Sequence, residues 1–175
     1  LENDKHCLGG AVAVPFKTKI CNLLRENLTQ EALAIDAINC IYKDNKNLLR
    51  GTNTDGEASL LSIKNTCEIK ALNHILVLGA GGAAKAVIAY ISKAKNKECK
   101  LSVACRNSQR INYLKQILDI DEIIKWNDIN NVSQEIDLII NCTTLGTQDS
   151  LNETPLSINQ LSRLKTNVII FDINY

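Results

Sequence analysis

The chain has 175 residues, 45% hydrophobic and 22% charged, with a formal net charge of +1. That composition is ordinary for a globular protein and suits one domain, or one domain plus part of another. Its basic residues are scattered, which argues against a nucleic-acid stripe or an anionic membrane surface, and no apolar run reaches the 18 residues of a membrane span.

The opening segment "GGAVAVPFKTK" reads as a strand-like run ending at Pro15. Apolar residues then recur at Phe16, Ile20, Leu23, Leu24 and Leu28, a helical spacing with Pro15 predicted in the first turn. Thr29 is a predicted cap for a short helix in "TQEALAIDAINCIYKD", and residues 38 to 50 read as a hairpin turning at "KDNKNL". "GTNTDGEASLLSIKN" reads as a polar loop running into a helix.

From His74 onward the pattern changes. "HILVLG", "KLSVACR", "DEIIKW", "IDLIINCT" and "NVIIFDIN" are five short apolar runs, with helical segments such as "GAAKAVIAYISKAK" and "SQRINYLKQIL" between them. Uninterrupted apolar strands belong to a parallel sheet buried on both faces. Strands alternating with helices imply an α/β fold, a Rossmann-like doubly wound sheet.

Between the first of these strands and its helix, Gly79, Gly81 and Ala84 form a G-x-G-x-x-A turn. Gly79 would permit the tight turn, Gly81 the approach of a pyrophosphate to the backbone, and Ala84 close helix–strand packing. The expected cofactor contacts are therefore Gly79, Ala80, Gly81, Gly82 and Ala83. The next strand ends in "VACRNSQR", with no acid placed to hold the ribose hydroxyls of NAD. Arg106 and Arg110, with Asn107 between them, suit the 2′-phosphate of NADP, which arginine binds by paired charge-assisted hydrogen bonds.

The seven cysteines, Cys7, Cys21, Cys40, Cys67, Cys99, Cys105 and Cys142, are odd in number and lack zinc-type spacing. Several lie in apolar runs as small hydrophobes, so a reduced chain in the cytoplasm is expected. His6 and His74 stand apart from any metal-like cluster, and no metal site is expected. The sequence starts at Leu1 without a signal peptide and contains no methionine, so it reads as a piece of a longer protein.

The blocks "GGAVAVPFK", "AIDAIN", "GTNTDG", "LGAGGAAKA", "ACRN", "NCTTLG" and "FDINY" follow one another in the order of the shikimate dehydrogenases, and from Gly9 onward the sequence resembles that family. The resemblance implies NADP-linked, reversible reduction of 3-dehydroshikimate to shikimate, a small-molecule substrate, with part of an α/β substrate-binding lobe expected over 1–57 and an NADP-binding Rossmann-like domain over 58–175. It implies Lys17 and Asp55 as the catalytic pair, and Asn39, Asn53 and Tyr175 at the substrate. It places Asn141, Thr143 and Leu145 in the loop beside the nicotinamide. The chain departs from the family at Ala11 and Ala13, which replace Asn and Thr, at Asp36 for Gly, and at Thr144 for Pro. The family's substrate-binding serine pair and C-terminal glutamine would lie outside the sequence. A quinate-type enzyme of altered specificity, a nucleotide-binding pseudoenzyme and a purely structural interaction domain remain alternatives.

Overall fold

A computed structural model of the protein describes residue 4 and residues 6–131, 133–147 and 150–174. The first part is a small antiparallel sheet in the order β1-β2-β3, formed by β1 (Gly9–Ala11), β2 (Cys40–Lys43) and β3 (Leu49–Thr52). β2 and β3 are the expected hairpin, shifted about two residues toward the C-terminus. Their turn is closed by Asp44, whose Oδ1 accepts from the Lys46 and Leu48 amides at 2.8 and 3.0 Å, while Asn47 takes up a left-handed backbone (φ 61°). Helices α1 (Lys17–Leu23) and α2 (Gln30–Ile35) cover this sheet, burying Cys21 and Ala32 against Val12, Ile38 and Ile41. Thr29 caps α2 as expected, its hydroxyl accepting from the Ala32 amide at 3.3 Å.

Two boundaries differ from the sequence expectation. The first strand stops at Ala11: the Val12 amide still bonds the Asn39 carbonyl at 2.7 Å, but the Asn39 amide turns to the Thr52 carbonyl at 3.1 Å instead of returning a bond to Val12. Pro15 stands ahead of α1 rather than inside it. The Phe16 amide bonds the Ala13 carbonyl at 2.9 Å, so a turn consumes Val14 and Pro15, whose peptide is cis. Lys17 itself is the first residue of the helix.

Helix α3 (Asp55–Thr66) leads from the small sheet to the second one. There β4 (His74–Leu78), β5 (Lys100–Cys105), β6 (Glu122–Lys125), β7 (Leu138–Asn141) and β8 (Ile169–Asp172) run parallel in the order β6-β5-β4-β7-β8. This is the doubly wound sheet expected from the alternating pattern. Every residue of β4 is buried, and full burial of each Ile or Leu there contributes about 1.5–3 kcal/mol. On one face α3, α4 (Gly82–Ala94) and α5 (Ser108–Ile117) pack Ile63, Val87, Ile88, Ile91 and Leu114 onto Ile75, Val77, Leu101 and Val103. The other face buries Leu76, Leu78 and Ile139 under Ile129, Ile136 and Leu156 from the connecting segments. The short α6 (Ile158–Leu161) begins with a Ser157–Gln160 capping box. Among the described residues no helix is long and apolar enough to cross a membrane, and no three metal-binding side chains converge.

Candidate functional site

Strand order reverses direction between β4 and β7, so the crevice beyond their C-terminal ends is where such sheets bind ligands. Gly79 leaves β4 there at φ +110°, and a Cβ on it would stand 2.9 Å from the Cys142 carbonyl oxygen at the end of β7. Only glycine fits that turn. Gly81 caps α4, and a Cβ at Gly81 would meet nothing within 4 Å. Residues 79–83 line an open cleft, so the start of α4, with its unpaired backbone amides, borders that space in an anion-receptive arrangement. At Gly82 a Cβ would come 3.0 Å from the Lys17 Cβ, so this glycine lets the start of α1 lie against the nucleotide turn.

A cleft of about 890 Å³ opens at this junction. One wall is residues 79–83 with Arg106, Asn107, Arg110 and Tyr113, and the other carries Lys17, Thr18, Asn22, Arg25 and Asp36. The Arg106 guanidinium lies 5.8 Å from the centre of the Trp126 ring, at the outer limit of a cation–π contact. Asn107 has a structural task as well, its Oδ1 accepting from the Arg110 amide at 3.0 Å to cap α5. The glycine turn, the start of α4 and the two arginines together fit an adenine dinucleotide carrying a 2′-phosphate.

Lys17 and Asp55 come from different blocks and meet directly, the lysine ammonium bonding Asp55 Oδ2. Asn39 Nδ2 donates to the other oxygen, Asp55 Oδ1, at 2.7 Å, and Asn39 Oδ1 accepts from the Thr54 amide at 2.9 Å. Asn53 is buried, with Nδ2 on the Ala37 carbonyl at 3.1 Å and Oδ1 accepting from the Asp55 amide at 3.0 Å. Both asparagines are thus engaged in holding the Asn53–Asp55 turn, and neither lines the cleft. Tyr175 lies outside the described residues.

A smaller cavity of about 430 Å³ adjoins the pair, lined by Lys17, Asp55, Ser59, Ser62, Asp172 and Asn174 among others. Lys17 and Ala83 border both spaces, so the pair stands where cleft and cavity meet. Sequence reading missed the two serines, although 55, 59 and 62 fall on one helical face. It also missed Asp172, which accepts from Asn141 Nδ2 at 3.0 Å, and Asn174, whose Nδ2 donates to the Thr143 carbonyl at 2.9 Å. Asn141 is buried and its Oδ1 accepts from the Thr143 amide and hydroxyl at 3.0 and 2.8 Å. It shapes the loop, whereas Thr143 lines the cleft and Leu145 is buried beside it. Burial, reinforced by Asp172 and Asp55, pushes the Cys142 thiol far up, so it stays protonated and is no nucleophile.

Fold and site together define an α/β protein of Rossmann-like fold with an ion-paired lysine where a cleft and a smaller cavity meet. The family described as "Shikimate / quinate 5-dehydrogenase" matches residues 63–175, and the chain belongs to it. The shikimate dehydrogenase (NADP(+)) of Prochlorococcus marinus (strain MIT 9515) is 33% identical over 177 residues, covering 97% of this chain and 60% of that protein. Among solved structures, shikimate dehydrogenase from Aquifex aeolicus superposes with a TM-score of 0.81 at 30% identity, covering 96% of this chain and 59% of that one. The enzyme from Thermus thermophilus, in complex with NADP(H) and shikimate, superposes at 0.77 with 25% identity over 96% of this chain and 59% of that one. The chain spans about 60% of the length of the curated relatives it matches.

Proposed function

We propose that the protein takes part in the NADP-dependent, reversible reduction of 3-dehydroshikimate to shikimate, with residues 1–57 contributing to the substrate lobe and 58–175 forming the nucleotide domain. The observation that carries this reading is the position of the Lys17–Asp55 pair between the nucleotide cleft and the smaller cavity. When bound, the cofactor supplies the hydride that reduces the ketone carbon. The carbonyl oxygen then needs one proton to become a hydroxyl, and the Lys17 ammonium is the donor at hand. Asp55 orients that ammonium, and Asn39 fixes Asp55 by occupying its second oxygen. Ser59 and Ser62 offer hydroxyls to a polyhydroxylated ring in the cavity, and Thr143 borders the cleft where the nicotinamide would lie. In the oxidation direction the same atoms serve in reverse, Lys17 taking the proton back.

The test follows NADP reduction by the full-length protein with shikimate and quinate offered separately, beside a Lys17→Ala variant whose NADP binding is checked as a control for folding. Loss of a positioned acid lowers the rate by about 10²–10⁴-fold. Turnover of shikimate that survives Lys17→Ala within about threefold would reject the role of Lys17. Absence of turnover with either substrate, despite NADP binding, would reject the reaction.

A further inference from the structure

A second charged cluster stands in the cleft, apart from the Lys17–Asp55 pair. Asp36 ends α2 with a left-handed backbone (φ 55°), and its carboxylate gathers side chains from both walls. Lys85 on α4, only 5% exposed, donates to Asp36 Oδ2 at 2.7 Å and to the Asp36 carbonyl at 3.1 Å. Tyr113 on α5 donates its hydroxyl to the same Oδ2 at 2.8 Å, and its ring centre lies 4.9 Å from the lysine ammonium. A buried carboxylate is thereby matched in charge by a buried ammonium, and Oδ2 already accepts two bonds.

Arg25 is held more loosely. Its Nη1 forms an ion pair with Asp36 Oδ1 at 3.7 Å, beyond hydrogen-bond reach, and its side chain is 60% exposed. It also has a direction. Thr18, Asn22 and Arg25 recur at spacings of four and three and all border the cleft, so one face of α1 and the turn after it forms a polar roof. Among the lining residues five cations, Lys17, Arg25, Lys85, Arg106 and Arg110, accompany one acid, Asp36. Lys17 is paired with Asp55 and Lys85 with Asp36. Among the described residues neither Arg106 nor Arg110 enters an ion pair, and Arg25 shares the single Asp36 charge with Lys85, so both walls carry an excess of positive charge. Such a cleft favours a ligand with several phosphate charges. Lys17 opens α1 and Arg25 lies just past its far end, so Arg25 addresses a part of the ligand remote from the reacting carbon.

We propose that Arg25 is a phosphate-binding residue of the nucleotide site, contributed by the wall opposite Arg106 and Arg110, and that Asp36, Lys85 and Tyr113 form the cluster that positions it. The inference rests on the reading of the cleft as a nucleotide site. It means that the cofactor is gripped from both walls, so cofactor affinity is sensitive to residues of the substrate lobe.

The experiment titrates the full-length protein with NADPH and with NADH, following nicotinamide fluorescence, in the wild type and in Arg25→Gln, Arg25→Lys, Tyr113→Phe and the double variant Arg25→Gln/Tyr113→Phe. Arg25→Gln is expected to weaken NADPH by about tenfold or more, the scale of one charge-assisted contact, and Arg25→Lys to recover part of that loss. A loss confined to NADPH assigns the contact to the 2′-phosphate, and an equal loss for NADH assigns it to the pyrophosphate; either result upholds the proposal. An Arg25→Gln affinity within about twofold of wild type overturns it. Tyr113→Phe is expected to weaken NADPH in the wild-type background and to add little in the Arg25→Gln background. Fully additive losses would overturn the positioning role. A wild type that binds neither nucleotide would overturn the underlying reading instead.

Discussion

Gly56 joins the packing of the helices to the geometry of the proposed reaction, and replacing it with alanine tests both. It is buried in the first turn of α3, and a Cβ there would stand 2.5 Å from the Ala86 carbonyl oxygen on α4 and 2.5 Å from Tyr90 Cδ2. Ordinary carbon contacts are longer by about 1 Å, and the Ala86 oxygen is backbone that no rotamer change can move. Alanine gains at most about 1 kcal/mol in helix propensity. Forcing two packed helices apart costs about 1–3 kcal/mol, and more where backbone is struck. The expected net effect of Gly56→Ala is therefore a loss of about 1–2 kcal/mol, read as a lower urea midpoint at unchanged slope. Asp55 is the adjacent residue and the first of α3, so the shift is transmitted to the Lys17–Asp55 contact. Displacement of a catalytic group by about 1 Å costs up to about 10²-fold in rate. Steady-state shikimate oxidation measured beside the urea titration reads both quantities. A variant with an equal or higher midpoint and wild-type turnover would refute the claim that close α3–α4 contact sets this geometry.

Two other perturbations address the sheet and the turn. His74 is buried with Nε2 2.8 Å from Ser102 Oγ and no hydrogen bond on Nδ1, where Glu135 Oε2 stands 3.9 Å away. Burial, helped by Lys100 and opposed by Glu135, Glu122 and Asp137, holds its imidazole below the ordinary histidine value. The unfolded chain then binds the proton that the folded chain refuses, so stability falls as pH drops below about 6.5, by up to ~1.4 kcal/mol per unit, and His74→Gln should flatten that slope in urea titrations between pH 5 and 7. A wild-type profile that is already flat across this window would contradict the assignment. At Gly79, alanine would meet the Cys142 carbonyl at 2.9 Å and a φ of +110° that L residues rarely adopt. Gly79→Ala should destabilise by about 1–3 kcal/mol and abolish NADPH binding; unaltered affinity would mean that the turn is not the cradle.

The second sheet was readable from sequence because its signal is local. Each of the five apolar runs carries its own burial pattern, and the glycine turn marks the switch point on its own. The first lobe was readable only at lower precision. Nothing near Pro15 announces that the Phe16 amide would bond Ala13, and that one bond moves the helix start to Lys17. The Asp36 cluster was invisible for a related reason. Asp36, Lys85 and Tyr113 are separated by 49 and 77 residues in its two hydrogen bonds, and no periodicity spans such gaps. In sequence Asp36 stood out only as an acid where the resembling family has glycine, and its left-handed backbone keeps the conformation that glycine would favour while adding a carboxylate.

Asn39 shows how a residue can belong to a site without bordering it. Its amide donates to the Thr52 carbonyl at 3.1 Å, its carbonyl accepts from Val12 at 2.7 Å, and its side chain holds Thr54 and Asp55. The neighbouring Ile38 amide bonds the Lys17 carbonyl at 3.1 Å. Two consecutive residues therefore fix the start of α1, the end of β3 and the start of α3 relative to one another, and those are the elements that carry Lys17 and Asp55. The ion pair is short-range, but its geometry is set by this backbone knot. Loss of the Asn39 side chain should therefore be felt as misorientation of Asp55 before it is felt as loss of a substrate contact.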